Sequence, residues 1–289
     1  MAEIIEPNPQ SANDYDDRTT QAVKAVLIDI GQILGSYQGK FVIIGGAVPW
    51  LLLGDAEMEH VGTLDVDLGL DAEALGEGEY AHLVEELMKH GYEQSAEKKN
   101  FQLVKQVPAA DGEGSIEVVV DFLMPRDAKV KKNHPPIIDN FRVVRADGEE
   151  LAHYFKELST VAGRTMDGGI NKVEIAVCSI PALIAMKGHA MKGRKKRKDA
   201  YDIYYCVRNY PGGINALAKG CLPVLAHKSG AEGFHYINQK FESFESYGPT
   251  SVRIFVEGTK LVGERTAEQW QQDAFGQVDG LLREIGVRK

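Results

Sequence analysis

The chain has 289 residues, of which 44% are hydrophobic and 26% are charged, and its formal net charge is -9 at pH 7. This composition is that of a globular protein, and the length suffices for two domains with sizeable cores. The acidic balance argues against a protein that coats nucleic acid through bulk charge, and no apolar run reaches the roughly 18 residues that a membrane span needs.

The N-terminal segment and the cysteines indicate the compartment. Residues 1–17 are acidic and polar and lack the basic start and apolar core of a secretory signal, so a mobile arm is expected. Cys178, Cys206 and Cys221 are odd in number and widely spaced. This spacing argues against disulfides and zinc sites and favours a reducing compartment. A cytoplasmic protein that does not interact with membranes is therefore predicted.

The first part of the chain alternates helical and strand patterns. Apolar residues at helical spacing predict a helix over 19–39 that ends at a glycine. A short β-branched strand is predicted at 41–44, and the glycine pair after it is expected to lead into a helix. A second strand is predicted at 62–70. An amphipathic helix at 77–92 is expected to end near Gly91.

The next segment predicts a β-hairpin, after which the pattern changes. FQLVKQV (101–107) and SIEVVVDFLMP (115–125) read as its two strands. Residues 135–178 are mixed, with one strand predicted at 172–178. Ser179 suits a helix N-cap, and helical patterns dominate from there onwards. These later helical segments cover 198–210, 215–228, 232–244 and 267–286.

The fold class that these elements predict is α/β (α+β). A mixed-sheet domain is expected at 18–178, after the arm at 1–17. A mostly helical domain is expected at 179–289. No internal repeat or low-complexity tract interrupts this order.

Three aspartates interrupt strands that otherwise read as buried. In GTLDVDL, Asp65 and Asp67 point to the same face because a strand alternates faces with period two. Asp121 breaks the apolar run of SIEVVVDFLM in the same way. Carboxylates at this spacing are hard oxygen ligands that a divalent ion can bridge, and a two-metal site uses such a set. A magnesium site is predicted, with solvated strand-edge carboxylates as the alternative.

A glycine pair precedes the aspartates. Gly45 and Gly46 end the strand at 41–44, where backbone N–H groups could approach and hold a phosphate. A tight turn is the alternative for the pair taken alone. The ordered set of strand, Gly-Gly, helix, D-x-D strand and a later strand aspartate is much rarer than either motif alone.

This order resembles the nucleotidyltransferase fold shared with polymerase beta. The later motifs narrow the resemblance, because KGHAMKGR fits K-x-x-A-x-x-x-R through Lys187 and Arg194, and DAYD fits D-x-x-D through Asp199 and Asp202. Over residues 40–208 the chain is similar to the AbiEii-type nucleotidyltransferases, the toxin halves of type IV toxin–antitoxin systems. It departs from them at His60, where HVG stands in the region in which many members carry arginine.

The resemblance implies transfer of a nucleoside monophosphate from an NTP to an acceptor hydroxyl. It implies that Asp65, Asp67 and Asp121 hold Mg²⁺ or Mn²⁺ as catalytic residues. It also implies that Lys187 contacts the NTP phosphates and that Asp202 orients a base or an acceptor hydroxyl. The nucleotide-binding residues that it implies are Gly45, Gly46, Thr63, Lys187, Arg194 and Asp199. The alternative for the later motifs is that their cations form surface salt bridges with their aspartates.

Two basic runs follow these residues. RDAKVKK (126–132) comes after Asp121, and KGRKKRK (192–198) comes after Lys187. Their position favours a polyanionic acceptor such as RNA or tRNA, whereas a solvated face is the plain alternative. The cations of the second run are Lys192, Arg194, Lys195, Lys196, Arg197 and Lys198. A cognate antitoxin is a further implied partner.

Two other function classes stay open from the sequence. A sugar transferase also holds a metal and a nucleotide-sugar with D-x-D, but it does not account for the glycine pair or for the third carboxylate. A catalytically silent nucleotidyltransferase-like protein would act by binding a partner. Nucleotide binding measured with and without magnesium tests this last alternative.

Overall fold

A computed structural model describes residues 9–75, 79–128, 141 and 143–289. The chain divides into two compact units. A sheet unit contains residues 17–54 and 62–183, and a helical unit contains residues 55–61, 184–289 and the described residues before Asp17. The domain boundary predicted from composition lies at residue 178. In the structure, residues 179–183 belong to the sheet unit and residues 55–61 belong to the helical unit.

The sheet unit is built on a mixed sheet of seven strands within the described residues. The strands are β1 Phe41–Ile44, β2 Asp65–Leu70, β3 Gln102–Pro108, β4 Ser115–Pro125, β5 Val144–Ala146, β6 Lys156–Arg164 and β7 Ile170–Cys178. Their order in the sheet is β3-β4-β2-β1-β7-β6, with β5 beside β4. Neighbours are parallel at β1/β7, β2/β4 and β4/β5 and antiparallel at β1/β2, β3/β4 and β6/β7.

Four helices belong to this unit in the part of the chain that is described. They are α1 Asp17–Ile33, α2 Ala47–Leu52, α3 Glu79–Lys89 and α4 Glu150–Tyr154. Helix α1 packs on the sheet with an apolar stripe at helical spacing, in which Val23, Val26 and Ile30 are fully buried. It ends at Ile33 rather than at residue 39, because the chain turns into a short 3₁₀ helix at Gly35–Tyr37.

The helical unit holds the remaining helices of the described chain. They are α5 Ile180–Gly193, α6 Arg197–Asn209, α7 Gly213–Leu225, α8 Lys228–Lys240, α9 Tyr247–Val256 and α10 Ala267–Glu284. The first residues of α5, up to Leu183, belong to the sheet unit. None of the described helices is both long and apolar enough to cross a membrane.

The described part of the expected N-terminal arm packs on the helical unit. Ser11 caps a 3₁₀ turn at Ala12–Asp14 through a capping box. The ring of Tyr15 lies edge-on to Phe255, with ring centroids 5.9 Å apart. Residues 1–8 lie outside the described residues.

The expected basic run at 126–132 is only partly described. Arg126 forms an ion pair with Asp147, which follows β5. Residues 129–132 lie outside the described residues, so the run carries no structural argument.

Candidate active site

Three carboxylates meet on one face of the sheet. Strands β2 and β4 are parallel neighbours, and their register places Asp67 directly opposite Asp121. Asp65 shares the face of Asp67 because it lies two residues earlier in β2. Each of the three offers an oxygen within 4.8 Å of the others, and each side chain is partly buried. The predicted convergence of the three aspartates is confirmed.

Neutral donors hold two of these carboxylates. The hydroxyl of Thr63 donates to Asp65 Oδ1 at 3.0 Å and to the Asp65 carbonyl at 3.2 Å. The side-chain amide of Gln102 on β3 donates to Asp121 Oδ1 at 2.8 Å. Like charges this close repel unless a cation or donors offset them. Three oxygen ligands of this kind fit Mg²⁺ or Mn²⁺ better than they fit softer metals.

Gly45 brings backbone against the carboxylates. Its φ is 74°, in the left-handed region that favours glycine. A Cβ at this position would lie 1.8 Å from Asp67 Oδ2, so no side chain fits between β1 and this aspartate. Gly46 follows as the N-cap residue of α2. The predicted glycine pair therefore lies at the carboxylate cluster.

The later motifs form a buried charge cluster inside the helical unit. Lys187 Nζ on α5 lies 2.9 Å from Asp199 Oδ1 and 2.8 Å from Asp202 Oδ2 on α6. Arg194 binds Asp199 through two N–H groups, with Nε 2.8 Å from Oδ2 and Nη2 2.9 Å from Oδ1. Lys198 Nζ lies 2.9 Å from Asp202 Oδ1. The structure thus shows the alternative in which the cations of these motifs pair with their own aspartates. Both aspartates are fully buried rather than at the surface.

Burial and charge act against each other in this cluster. Burial alone would raise the pKa of Asp199 and Asp202, but Lys187 with the neighbouring cations lowers both pKa values, so the carboxylates stay ionised. Burial would lower the pKa of Lys187, yet the two carboxylates raise it above its usual value. Lys198 differs, because burial lowers its pKa by more than Asp202 raises it.

His60 completes the cluster, although the sequence offered it only as a departure from the family. Its Nε2 lies 3.0 Å from Asp202 Oδ1, and its side chain is 1% exposed. Burial, followed by the charge of Lys198, lowers the pKa of His60 to about 4. The imidazole is therefore neutral at pH 7, and Nε2–H donates to the ionised Asp202.

The basic run at 192–198 is not one solvated face. Lys198 is 2% exposed and paired with Asp202, so it is not available to an external polyanion and the prediction that it contacts RNA is wrong. Lys192 donates to the Tyr236 hydroxyl at 2.6 Å. Arg194, at 54% side-chain exposure, remains accessible beside Asp199. Lys195 is exposed.

Sequence reasoning missed Gln102 and His60 as members of these clusters. Each pairs with an aspartate on a different element of secondary structure, and neither belongs to a recognised sequence motif. The alternation of β3 and β4 across a hairpin is the one signal that could have aligned Gln102 with Asp121. For His60 no local signal exists, since its partner lies 142 positions later.

Comparison with known proteins gives the class to which this chain belongs. The family model described as "Nucleotidyl transferase AbiEii toxin, Type IV TA system" matches residues 63–283, well over half of the chain. The chain therefore belongs to the AbiEii nucleotidyltransferase toxin family and is a nucleotidyltransferase. No curated protein matches it.

Two solved structures from Helicobacter pylori are similar over nearly the full length. JHP933 has a TM-score of 0.47 at 10% identity, and the alignment covers 94% of each chain. A protein described as a "putative nucleotidyltransferase" has a TM-score of 0.44 at 11% identity, with 92% of this chain and 96% of that chain covered.

Proposed function

We propose that this enzyme moves a nucleoside monophosphate from an NTP to an acceptor hydroxyl with the help of a divalent cation. The convergence of Asp65, Asp67 and Asp121 carries this proposal. The acceptor oxygen bonds to the α-phosphorus, the bond to the β-phosphate oxygen breaks, and pyrophosphate leaves. The hydroxyl proton passes to water.

The three aspartates would hold Mg²⁺ or Mn²⁺, whose positive charge lowers the pKa of a bound hydroxyl and offsets charge on the phosphate. Thr63 keeps Asp65 oriented through its 3.0 Å hydrogen bond. Gly45 and Gly46 are the proposed triphosphate-binding residues, because the glycine pair lies at the carboxylate cluster with Gly45 directly against Asp67.

We propose separate roles within the buried charge cluster. Lys187 and Asp202 bind each other at 2.8 Å and are almost fully buried, which favours a role in holding α5 to α6. Arg194 is the accessible cation and is the member best suited to a nucleotide phosphate. Contact between Lys187 and the NTP, or between Asp202 and the acceptor, would require these ion pairs to open.

RNA, including tRNA, is the proposed acceptor, and a cognate antitoxin is the proposed partner. The family description supports a toxin–antitoxin setting. The exposed Lys195 and the partly exposed Lys196 and Arg197 support a polyanionic acceptor. We also propose a cytoplasmic location, which agrees with three buried cysteine thiols that form no disulfide.

Labelled NTPs test the proposal directly. The enzyme is incubated with each of the four NTPs, labelled at the α- or the γ-phosphate, with Mg²⁺ or Mn²⁺ and total RNA or tRNA, and the products are separated. We expect the α-label in RNA and the γ-label in pyrophosphate. The γ-label in the product would indicate a kinase. Label in a sugar or a protein would identify a different acceptor. If the protein binds nucleotide but forms no labelled product, a catalytically silent binding protein is favoured.

Asp67→Asn tests the carboxylates. Loss of one ligand should lower turnover by about 100-fold or more, because the charge on the transferred phosphate is no longer offset. The exposed Asp55→Asn is the matched control and should keep full turnover. Without metal, the unfolding midpoint of Asp67→Asn should be no lower than that of Asp55→Asn, because the substitution removes one of three neighbouring like charges. Full turnover in Asp67→Asn would show that the aspartates are structural.

A further inference from the structure

We infer that Gln102 is a positioning residue that sets the orientation of Asp121 for the divalent cation. The inference rests on the proposed function, since it concerns one ligand of the proposed metal site. Gln102 is the first residue of β3 and lies directly opposite Asp121 in the β3/β4 ladder. Its amide nitrogen donates to Asp121 Oδ1 at 2.8 Å.

A second hydrogen bond fixes which end of the Gln102 amide faces Asp121. The backbone N–H of Lys99 donates to Gln102 Oε1 at 3.0 Å. Because a backbone N–H can only donate, the atom that faces it is the amide oxygen, and the NH₂ group is left to face Asp121. The turn before β3 therefore holds Gln102, and Gln102 holds Asp121.

A neutral donor suits this position. An amide hydrogen bond fixes the rotamer of Asp121 without cancelling its negative charge, whereas a lysine or arginine would compete with the cation. Partners of this kind behind metal ligands typically change metal affinity about 10–100-fold when they are removed. Thr63 donates to Asp65 in the same way, so Asp65 and Asp121 each accept a hydrogen bond from a neutral side chain.

The same two strands supply a matched control four residues along. Gln106 lies opposite Glu117 in the ladder, and its amide nitrogen donates to Glu117 Oε2 at 3.1 Å. Ser115 donates to Gln106 Oε1 at 3.1 Å, so this amide is also held from its other end. The hydrogen bond is of the same type as that of Gln102 with Asp121 but lies outside the carboxylate cluster, and Glu117 also pairs with Lys98 at 3.3 Å.

Mn²⁺ binding to the full chain, measured by calorimetry without nucleotide, tests the inference. Gln102→Leu should weaken Mn²⁺ binding about 10-fold or more, and Gln106→Leu should leave it unchanged. Gln102→Lys should bind Mn²⁺ more weakly than Gln102→Leu, because the lysine ammonium forms an ion pair with the Asp121 carboxylate and competes with the cation. The same ion pair should keep β3 folded. Equal Mn²⁺ affinity in Gln102→Lys and the parent would overturn the inference, as would equal losses in the two leucine variants.

Asp121→Asn separates this inference from the proposed function. If Asp121→Asn abolishes Mn²⁺ binding while Gln102→Leu binds as the parent does, the metal site stands and Gln102 has no positioning role. If Asp121→Asn binds Mn²⁺ as tightly as the parent, the cation does not use the cluster, and both the proposed metal site and the inference fail.

Discussion

His60 is a neutral imidazole enclosed by charged side chains. Its Nε2–H donates to Asp202, while the charge of Lys198, and more weakly that of Lys187, disfavours a proton on the ring. The rings of Tyr201 and Tyr205 lie 5.8 Å and 4.7 Å from it, between centroids. A proton on His60 would thus have to enter a buried site that already holds cations.

The depressed pKa of His60 predicts a loss of stability in mild acid. The unfolded chain binds this proton with a pKa near 6.5, and the folded chain with a pKa of about 4. Stability is therefore full above about pH 6.5 and falls as the pH drops toward 4, by about 2 kcal/mol between roughly pH 7.5 and pH 5. Asp199 and Asp202 stay ionised over this range because their pKa values are lowered.

Urea unfolding at the two pH values measures this effect. His60→Gln keeps a donor toward Asp202 but does not titrate, so its pH-dependent loss should be smaller than the parent's by about 2 kcal/mol. His82→Gln is the control, since its side chain is 69% exposed, and it should behave as the parent does. If all three proteins lose the same stability between the two pH values, His60 is not the titrating group.

At the scale of elements, helices α5 and α8 cross where glycine meets glycine. A Cβ on Gly188 would lie 2.1 Å from the carbonyl oxygen of Gly233, and a Cβ on Gly233 would lie 2.3 Å from the carbonyl oxygen of Ala185. Backbone touches backbone here, so neither a rotamer change nor a flexible side chain can relieve an added methyl group. The crossing places the two helices closer than ordinary side chains allow.

Gly188→Ala should therefore destabilise the helical unit, even though alanine favours helix. We expect a loss of about 2 kcal/mol or more, because the helices must separate. Gly276→Ala on α10 is the opposite case: nothing lies within 4 Å of its Cβ, so a gain of about 0.5–1 kcal/mol is expected. Urea unfolding of both variants checks the pair. A neutral or stabilising Gly188→Ala would contradict the close crossing.

The elements also show what sequence patterns could and could not predict. The hairpin of β3 and β4 and the helices α5–α8 and α10 have strong alternation or helical spacing and were predicted. Strand β6 was not predicted, because its sequence KELSTVAGR is mostly exposed and shows no clear alternation of apolar and polar residues. It forms a strand because nine of its residues pair with β7. Helix α9 contains Pro249 and β-branched residues and is held by burial of residues such as Phe255.

The same distinction applies to the site. The carboxylates of β2 could be predicted because residue type and period-two spacing are local properties of one strand. Asp121 was grouped with them because it breaks the apolar run of another strand, which is again a local property. Gln102 and His60 could not be predicted in this way, because their roles depend on which distant aspartate each one faces.

At the scale of the whole molecule, an acidic chain must concentrate positive charge locally to bind RNA. The formal net charge is -9, so the average field repels a polyanion and binding depends on patches. Lys198 forms a buried ion pair with Asp202 inside the helical unit and does not contribute to a surface patch. Lys195, Lys196 and Arg197 remain exposed or partly exposed within the basic run. The proposed acceptor would depend on these three cations.

A salt series decides whether these cations bind RNA. Each phosphate that a cation neutralises contributes a slope of roughly -0.7 to the log–log dependence of affinity on salt for single strands. Replacing Lys195, Lys196 and Arg197 by Ala should flatten the slope by about 2 and leave NTP affinity unchanged. The control variant replaces exposed Lys219, Lys228 and Lys289 by Ala and removes the same charge elsewhere. If both variants change RNA affinity equally, the effect is one of bulk charge. If neither changes it, RNA loses its place as the favoured acceptor, and the enzyme assignment is unaffected.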